Sequence, residues 1–228
     1  MDISVIVPVL DEEDGIAQAL GALAPLRARG VEIVVADGGS RDATVERARP
    51  LADRVVVAPR GRGAQMNAGA AAAAGAVLLF LHADTRLPGD ADRRIGEGLA
   101  RSGRVWGRFD LRIAGSHRLF PIIAATMNLR SRLTGIATGD QAMFMTRQAF
   151  AAGFPDIPLM EDIAMSKRLK RLGRPLCLAG PVVTSGRRWE RYGVARTILL
   201  MWRLRFAYQL GADPARLARA YGYAPRQS

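Results

Sequence analysis

The stretch ISVIVPVLDEEDGIAQALGALAPLRARGVEIVVADGGS, residues 3–40, changes its hydrophobic period twice. Ile3-Ser4-Val5-Ile6-Val7-Pro8-Val9 is a β-branched run closed by a proline, which predicts a buried parallel strand. Asp11-Glu12-Glu13-Asp14 then supplies an acidic first turn, and Ile16, Leu20 and Leu23 follow at helical spacing. Val31 to Ala36 is a second apolar strand, stopped by Asp37-Gly38-Gly39-Ser40. Ser40 is expected to cap the next helix, through Thr44 and Ala48.

Further along, Val55 to Ala58 reads as a third strand, Gly63 to Ala74 as a helix, and Val77 to Leu81 as a fourth strand ending at His82-Ala83-Asp84. Strands alternating with helices predict βαβ units: an α/β fold with a single mostly parallel, mixed sheet flanked by helices. Ligands of such sheets bind beyond the carboxyl ends of the strands. The groups expected to converge there are Asp11/Glu12, Asp37/Ser40, Arg60/Arg62 and His82/Asp84.

The second half is less regular. Val105 to Ile113 alternates like a strand, and His117 to Leu133 reads as a helix with apolar Phe120, Ile123, Met127 and Leu133. Gly135 to Met145 reads as loop then strand. Met160 to Leu172 is an amphipathic helix opening with Glu161-Asp162, Leu176 to Val183 is extended but broken at Gly180-Pro181, and Tyr192 to Leu210 is a helix. With no repeat or linker, residues 1–190 are expected to form one domain and residues 191–228 its helical C-terminal extension.

Composition narrows the classes. At 49% hydrophobic residues the 228-residue chain can pack a core, which excludes a disordered protein. The single cysteine, Cys177, excludes an intramolecular disulfide and reads as a small buried hydrophobe. The start lacks a basic leader region, and no apolar run approaches the roughly 20 residues of a spanning helix. A cytoplasmic protein is expected, or one peripheral to the inner face of the membrane. The 33 basic and 21 acidic residues leave +12, a field that attracts phosphates and anionic lipid. An Arg-rich proteome produces the same excess, so charge alone identifies no partner.

Several clusters carry chemistry. A carboxylate at Asp37 can accept from a base N–H or a ribose hydroxyl, or close an Asx turn. Arg60-Gly61-Arg62-Gly63 precedes a helix and can approach a pyrophosphate, although the Gly-Lys-Ser/Thr ending of a P-loop is missing. In an extended segment His82 and Asp84 share a side and can hold Mg²⁺ or Mn²⁺; the plainer reading is a capped turn. Glu161-Asp162 either complements a helix dipole or supplies a general base. Gly139-Asp140-Gln141 is a polar turn suited to acceptor or phosphate. Arg187-Arg188-Trp189 can bind a diphosphate or stack on a sugar, or be a solvated loop.

In this order the pieces resemble the family 2 glycosyltransferases of GT-A fold. They are VIVPVLDEE, VADGGSRDAT, GRGAQMNAGAAAAAGAVLLFLHADTRLP, GDQAMFMTRQAF and MEDIAMSKRLKRLG, with a weaker echo in SGRRWERYG. The motif order looks most like the short bacterial branch linked with arsenosugar biosynthesis, also called selenodomain-associated transferases. The resemblance implies an inverting, metal-assisted hexosyltransferase that uses a nucleotide diphosphate sugar, UDP-linked for preference, and a small-molecule or lipid-linked hydroxyl acceptor. Pro8, Val9, Glu12 and Asp37 would line the nucleoside pocket, and Arg60 or Arg62 with Asn67 would border ribose and phosphates. Asp84 would be the ligand of the family's Asp-x-Asp motif, whose first Asp is His82 in this chain. Asp162, with Glu161 beside it, would be the base.

Two rivals fit less well. A nucleotidyltransferase needs a basic glycine-rich loop after the first strand, where this chain has Asp11-Glu12-Glu13. A nucleic-acid-binding module predicts aromatic stacking residues, against 6% aromatics. Leu199, Trp202 and Phe206 among Arg196, Arg203 and Arg205 suit an interfacial helix on anionic lipid, or packing on the core or a dimer partner.

Overall fold

A computed structural model describes residues 1–223; the end of the expected extension, 224–228, lies outside the described residues. The chain runs β1 (Ile3–Val9), α1 (Glu13–Gly21), α2 (Ala24–Arg27), β2 (Glu32–Asp37), α3 (Thr44–Ala48), β3 (Arg54–Val57), α4 (Arg62–Ala72), β4 (Val77–Phe80), β5 (Thr85–Arg86) and α5 (Ala91–Ser102). It continues with β6 (Trp106–Ala114), α6 (Phe120–Thr134), β7 (Phe144–Thr146), α7 (Glu161–Leu169), β8 (Leu176–Ser185), α8 (Arg187–Tyr192), α9 (Val194–Gln209) and α10 (Pro214–Tyr221).

One sheet has the order β3-β2-β1-β4-β7-β6-β8-β5. β3, β2, β1 and β4 are parallel; β7 lies antiparallel between β4 and β6, and β8 is parallel to β6. Two antiparallel steps restore direction, so β6 and β8 run with β1, and only β7 and the edge strand β5 oppose them. The sheet is mostly parallel and mixed, as expected. Both faces are covered: Val5, Val7 and Val9 face α1 and its neighbours, while Ile6 faces Met66 and Ala70 of α4. That is why β1 reads as a continuous apolar run rather than an alternating one.

Pro8 sits in a central strand because of where pairing stops. β1 pairs with β4 only as far as Ile6 and with β2 as far as Val9. The Ile6 carbonyl accepts from Leu81. Pro8, two residues on, faces the same side after β4 has ended, so its missing N–H removes no ladder bond. The strand order reverses between β1 and β4, and a crevice opens beyond their ends.

Three sequence expectations need correction. Ser40 does not cap α3: its hydroxyl donates to Asp37, and Asp42 accepts from the Thr44 N–H instead. Gly180-Pro181 does not break the eighth strand. It bulges there, because pairing passes from Phe109↔Leu178 to Leu111↔Val182, placing three residues opposite Asp110. The helix expected from Tyr192 to Leu210 is present as α9 but starts at Val194, because Gly193 with φ 82° separates it from α8. Leu204 of α9 and Leu217 of α10 pack with Met160 and Ile163, joining the C-terminal helices to α7. Among the described residues no helix is long and apolar enough to cross a membrane.

Gly107 lets β6 approach β8. A Cβ there would lie 2.4 Å from the Leu176 carbonyl oxygen and 2.5 Å from the Phe144 ring. A backbone oxygen cannot move aside as a side chain can, so Gly107→Ala is expected to destabilise by about 1–3 kcal/mol. A melting temperature unchanged within error would show that the strands separate at no cost.

Candidate functional site

The crevice wall on the β1–β2 side is built from carboxylates that hold main-chain amides. Asp11 accepts from Arg41 N–H, Glu13 from Ala43 N–H, and Asp42 from the N–H groups of Glu13 and Thr44. The buried Asp37 accepts from Gly39 and Ser40 N–H and from the Ser40 hydroxyl at 2.5 Å. The Asx-turn reading of Asp37 therefore has a structural basis. Two acids at the strand ends are left over. Glu12 makes no side-chain hydrogen bond to a described residue, and exposed Asp84 accepts only from the Thr85 hydroxyl at 3.2 Å. Burial raises the Glu12 pKa first, and the negative charges of Asp84 and Asp42 add to it, against Arg187 and His82.

Across the crevice, antiparallel pairing of β7 with β4 carries the turn before β7 to the carboxyl end of β4. His82 Nδ1 lies 3.2 Å from Asp140 Oδ1. Gly139 is required beneath it, because a Cβ would stand 2.4 Å from the ring's Cε1 and Nε2. Asp162, in the first turn of α7, accepts the Gly139 N–H at 2.9 Å and the Ile163 N–H at 2.7 Å. Glu161 is 3% exposed and meets Arg62 Nη1 at 3.4 Å, whereas the Arg62 side chain is 43% exposed. Asp162 is the more open of the two acids. Arg62, His82, Asp140, Glu161 and Asp162 line one cleft with Met201, Arg205 and Tyr221.

Charges in this cleft are mutually shifted. Desolvation raises the Glu161 pKa, partly opposed by Arg62 and reinforced by Asp162. Burial would lower Arg62, but Glu161, Asp140 and Asp162 overcome it and raise it. Burial would raise Asp140, but the His82 hydrogen bond and the charges of His82, Arg62 and Arg205 hold it low. Among the described residues three non-glycines adopt positive φ: Met160 at 71° in the cleft lining, Ala142 at 45° after the turn that holds Asp140, and Asp11 at 52° on the β1–β2 wall. Such strain concentrates where surroundings over-determine a functional geometry.

Other expected residues are placed differently. Asn67, expected beside the ribose, donates to the Phe154 carbonyl at 2.9 Å and accepts the Phe154 N–H at 2.8 Å, so it is a brace. Trp189 packs against the core as a partly buried hydrophobe, not as an open platform. Arg188 donates to the Tyr221 carbonyl and stacks 3.7 Å over that ring, while Arg187 is exposed near Glu12. Arg60 is exposed before α4, and Pro8 and Val9 end β1 at the crevice. Sequence reasoning passed over Gln65, whose amide donates to the carbonyls of Val9 and Ala36 and lies 2.9 Å from where a Gly38 Cβ would be. Nothing in its one-dimensional pattern marks it.

The residues present were tested against a divalent cation. Among the described residues no group of three or more His, Cys, Asp or Glu is arranged to hold one. Glu12, with no side-chain donor among the described residues and its pKa raised by burial and then by Asp84, and Asp84, which meets only the Thr85 hydroxyl, fit a cation that takes its other ligands from substrate phosphates and water. His82 already uses Nδ1 on Asp140.

The sheet order and the ligand rim define a GT-A type transferase fold. Residues 4–154 match the family described as Glycosyl transferase family 2, and the chain belongs to it. Comparison with curated protein sequences gives no match. Among solved structures it resembles S. aureus TarS 1-349 in complex with UDP-GlcNAc, with TM-score 0.66 and 19% identity over 81% of this chain and 58% of that one. It also resembles glucosyl-3-phosphoglycerate synthase from Mycobacterium tuberculosis in complex with Mn²⁺, UDP-glucose and phosphoglyceric acid, with TM-score 0.64 and 22% identity over 98% and 81%. The same enzyme with Mg²⁺ and UDP gives TM-score 0.59 and 23% identity over 81% and 69%.

The buried Glu161 gives a pH signature. Its folded pKa lies above the ordinary 4.5, so the folded state binds the proton more tightly than the unfolded chain. Its contribution to stability is therefore greatest in acid and is lost as pH rises through the folded value. Glu161→Gln should gain on the wild type in melting temperature as pH rises above the ordinary 4.5. A difference independent of pH would remove this assignment.

Proposed function

We propose that this chain is an inverting glycosyltransferase that moves a hexose from a UDP-sugar to an acceptor hydroxyl with Mg²⁺ or Mn²⁺. The observation that carries the reading is the meeting of unlike carboxylates at one rim. At the β1–β4 crevice Glu12 and Asp84 have no cationic hydrogen-bond partner among the described residues, and Asp162 is held by Gly139 in the adjoining cleft. Within the family we place the chain nearest the short bacterial branch linked with arsenosugar biosynthesis, on its motif order.

The nucleoside lies against Pro8, Val9 and the Asp37 turn, and Arg62, Arg60 and Arg187 provide cations within reach of the diphosphate. Asp84, with Glu12 next to it, holds the divalent ion. Bound there, such an ion would supply positive charge beside the leaving diphosphate. Asp162 takes the acceptor O–H proton as the oxygen bonds to the anomeric carbon. The bond from that carbon to the diphosphate oxygen breaks and UDP leaves with the electron pair. Attack opposite the leaving group inverts the centre. Asp162 suits the base better than Glu161, whose carboxylate is buried against Arg62. The Gly139 and Ile163 amides fix the Asp162 carboxylate.

Two variants separate these roles. Asp84→Asn should lose the metal-dependent part of the thermal shift given by UDP and lower UDP-sugar hydrolysis roughly 10²-fold. Unchanged turnover would remove the metal assignment. Asp162→Asn should keep the UDP shift and lose transfer by about 10²–10⁴-fold. Loss of UDP affinity instead would make Asp162 a donor-binding residue.

A further inference from the structure

Beside the cleft, arginines gather from β6, α6 and α9. Arg108 of β6 is fully buried; its Nε donates to no described residue, but its two Nη groups are engaged by the Asp110 carboxylate and by the Asn128 carbonyl at 3.1 Å. Arg130 of α6 and Arg205 of α9 are not matched in this way. Nε and Nη2 of Arg130 and Nε of Arg205 are buried and donate to no described residue. Neither side chain forms an ion pair with a described residue. Burial first, then the neighbouring Arg205 charge, push the Arg130 pKa down to about 10, with Asp162 opposing.

Buried donors without partners are rare in folded proteins, and these belong to two half-buried cationic side chains that carry no counter-charge of their own. Two such guanidinium groups close together are a standing repulsion that an anion between them would relieve. Their position gives the anion a role. Arg130 and Arg205 line one groove between α6 and α9, and Arg205 also lines the cleft that holds Asp162. Glu12 and Asp84, the two acids proposed to hold the cation, line neither.

We propose that Arg130 and Arg205 form an anion subsite that seats a phosphate group of the acceptor beside Asp162. The proposal rests on the acceptor chemistry assigned to Asp162 above and adds the acceptor's class: a phosphate ester. Guanidinium forks suit such a group because they give several N–H donors in fixed directions. The phosphate can be carried by a soluble ester or by a lipid headgroup. The groove rim bears on the second source, since Leu199, Trp202 and Phe206 around it are 67%, 69% and 64% exposed.

The test uses the full chain with UDP and Mg²⁺ saturating the donor site, followed by thermal melting in rising inorganic phosphate. Wild type should gain at least about 3 °C at saturation. Arg130→Gln and Arg205→Gln should lose most of that gain while keeping the UDP shift. A phosphate shift absent from wild type, or retained in both variants, overturns the subsite. If one variant fails to fold, the other decides. Absence of the UDP shift in wild type would instead strike the donor reading, and phosphate titrated without UDP then decides the subsite by the same comparison. Sedimentation with phosphatidylglycerol-containing vesicles, against phosphatidylcholine alone, separates the sources. Binding lost in Arg130→Gln assigns a lipid headgroup. No binding to either vesicle, together with a phosphate shift lost in the variants, assigns a soluble ester.

Discussion

Gly139 lies under the His82 ring, and its N–H enters the Asp162 carboxylate; the next residue, Asp140, meets His82 Nδ1. These contacts join two parts of the molecule that the chain keeps far apart. His82 belongs to the parallel sheet half, at the end of β4. Asp162 belongs to α7, reached only after β7 has turned back against that strand. The constraint is steric as much as polar: any side chain at position 139 would enter the imidazole and lift the turn away from β4. The antiparallel strand thus places an acid at the rim that no parallel βαβ unit could deliver, because a parallel strand would start its preceding turn at the opposite edge.

The other wall of the crevice solves a different problem. Asp11, Glu13, Asp37 and Asp42 crowd the loops after β1 and β2, where charge repulsion should splay them. Main-chain N–H groups take up that charge, stapling residues 11–13 to residues 40–44. With four acids occupied by amides, the negative potential left at the crevice belongs to Glu12 and Asp84. A rim dense in carboxylates in the sequence therefore becomes two carboxylates in the fold that no main-chain amide of a described residue holds.

How much of this was legible follows from how far each signal travels along the chain. The strands β1, β2 and β4 and the polar groups at their ends were readable, because hydrophobic period and strand-end chemistry are local. Asn67, Trp189 and Ser40 misled. Their residue types suit a ligand or a cap, but their partners are Phe154 main chain, the core and Asp37, and only Asp37 is near in sequence. Gly180-Pro181 looked like a break because a bulge and a break have the same composition; the Phe109/Leu111 register shift tells them apart, and it is a property of the pair of strands. Arg130 drew no reading from the sequence, and Arg205 only one shared with Arg196 and Arg203, as a charge on a helix suited to lipid or packing; what distinguishes the two is buried N–H groups without a described partner, which no sequence pattern encodes.

The two unsatisfied sets, Glu12 with Asp84 and Arg130 with Arg205, have opposite sign and are separated by Asp162 and the Arg62–Glu161 pair. A uniform +12 field would draw any polyanion to any face. The strand-end acids and the arginines of the α6–α9 groove would instead divide the approach: a cation would be favoured at the former, an anion at the latter, and each disfavoured at the other.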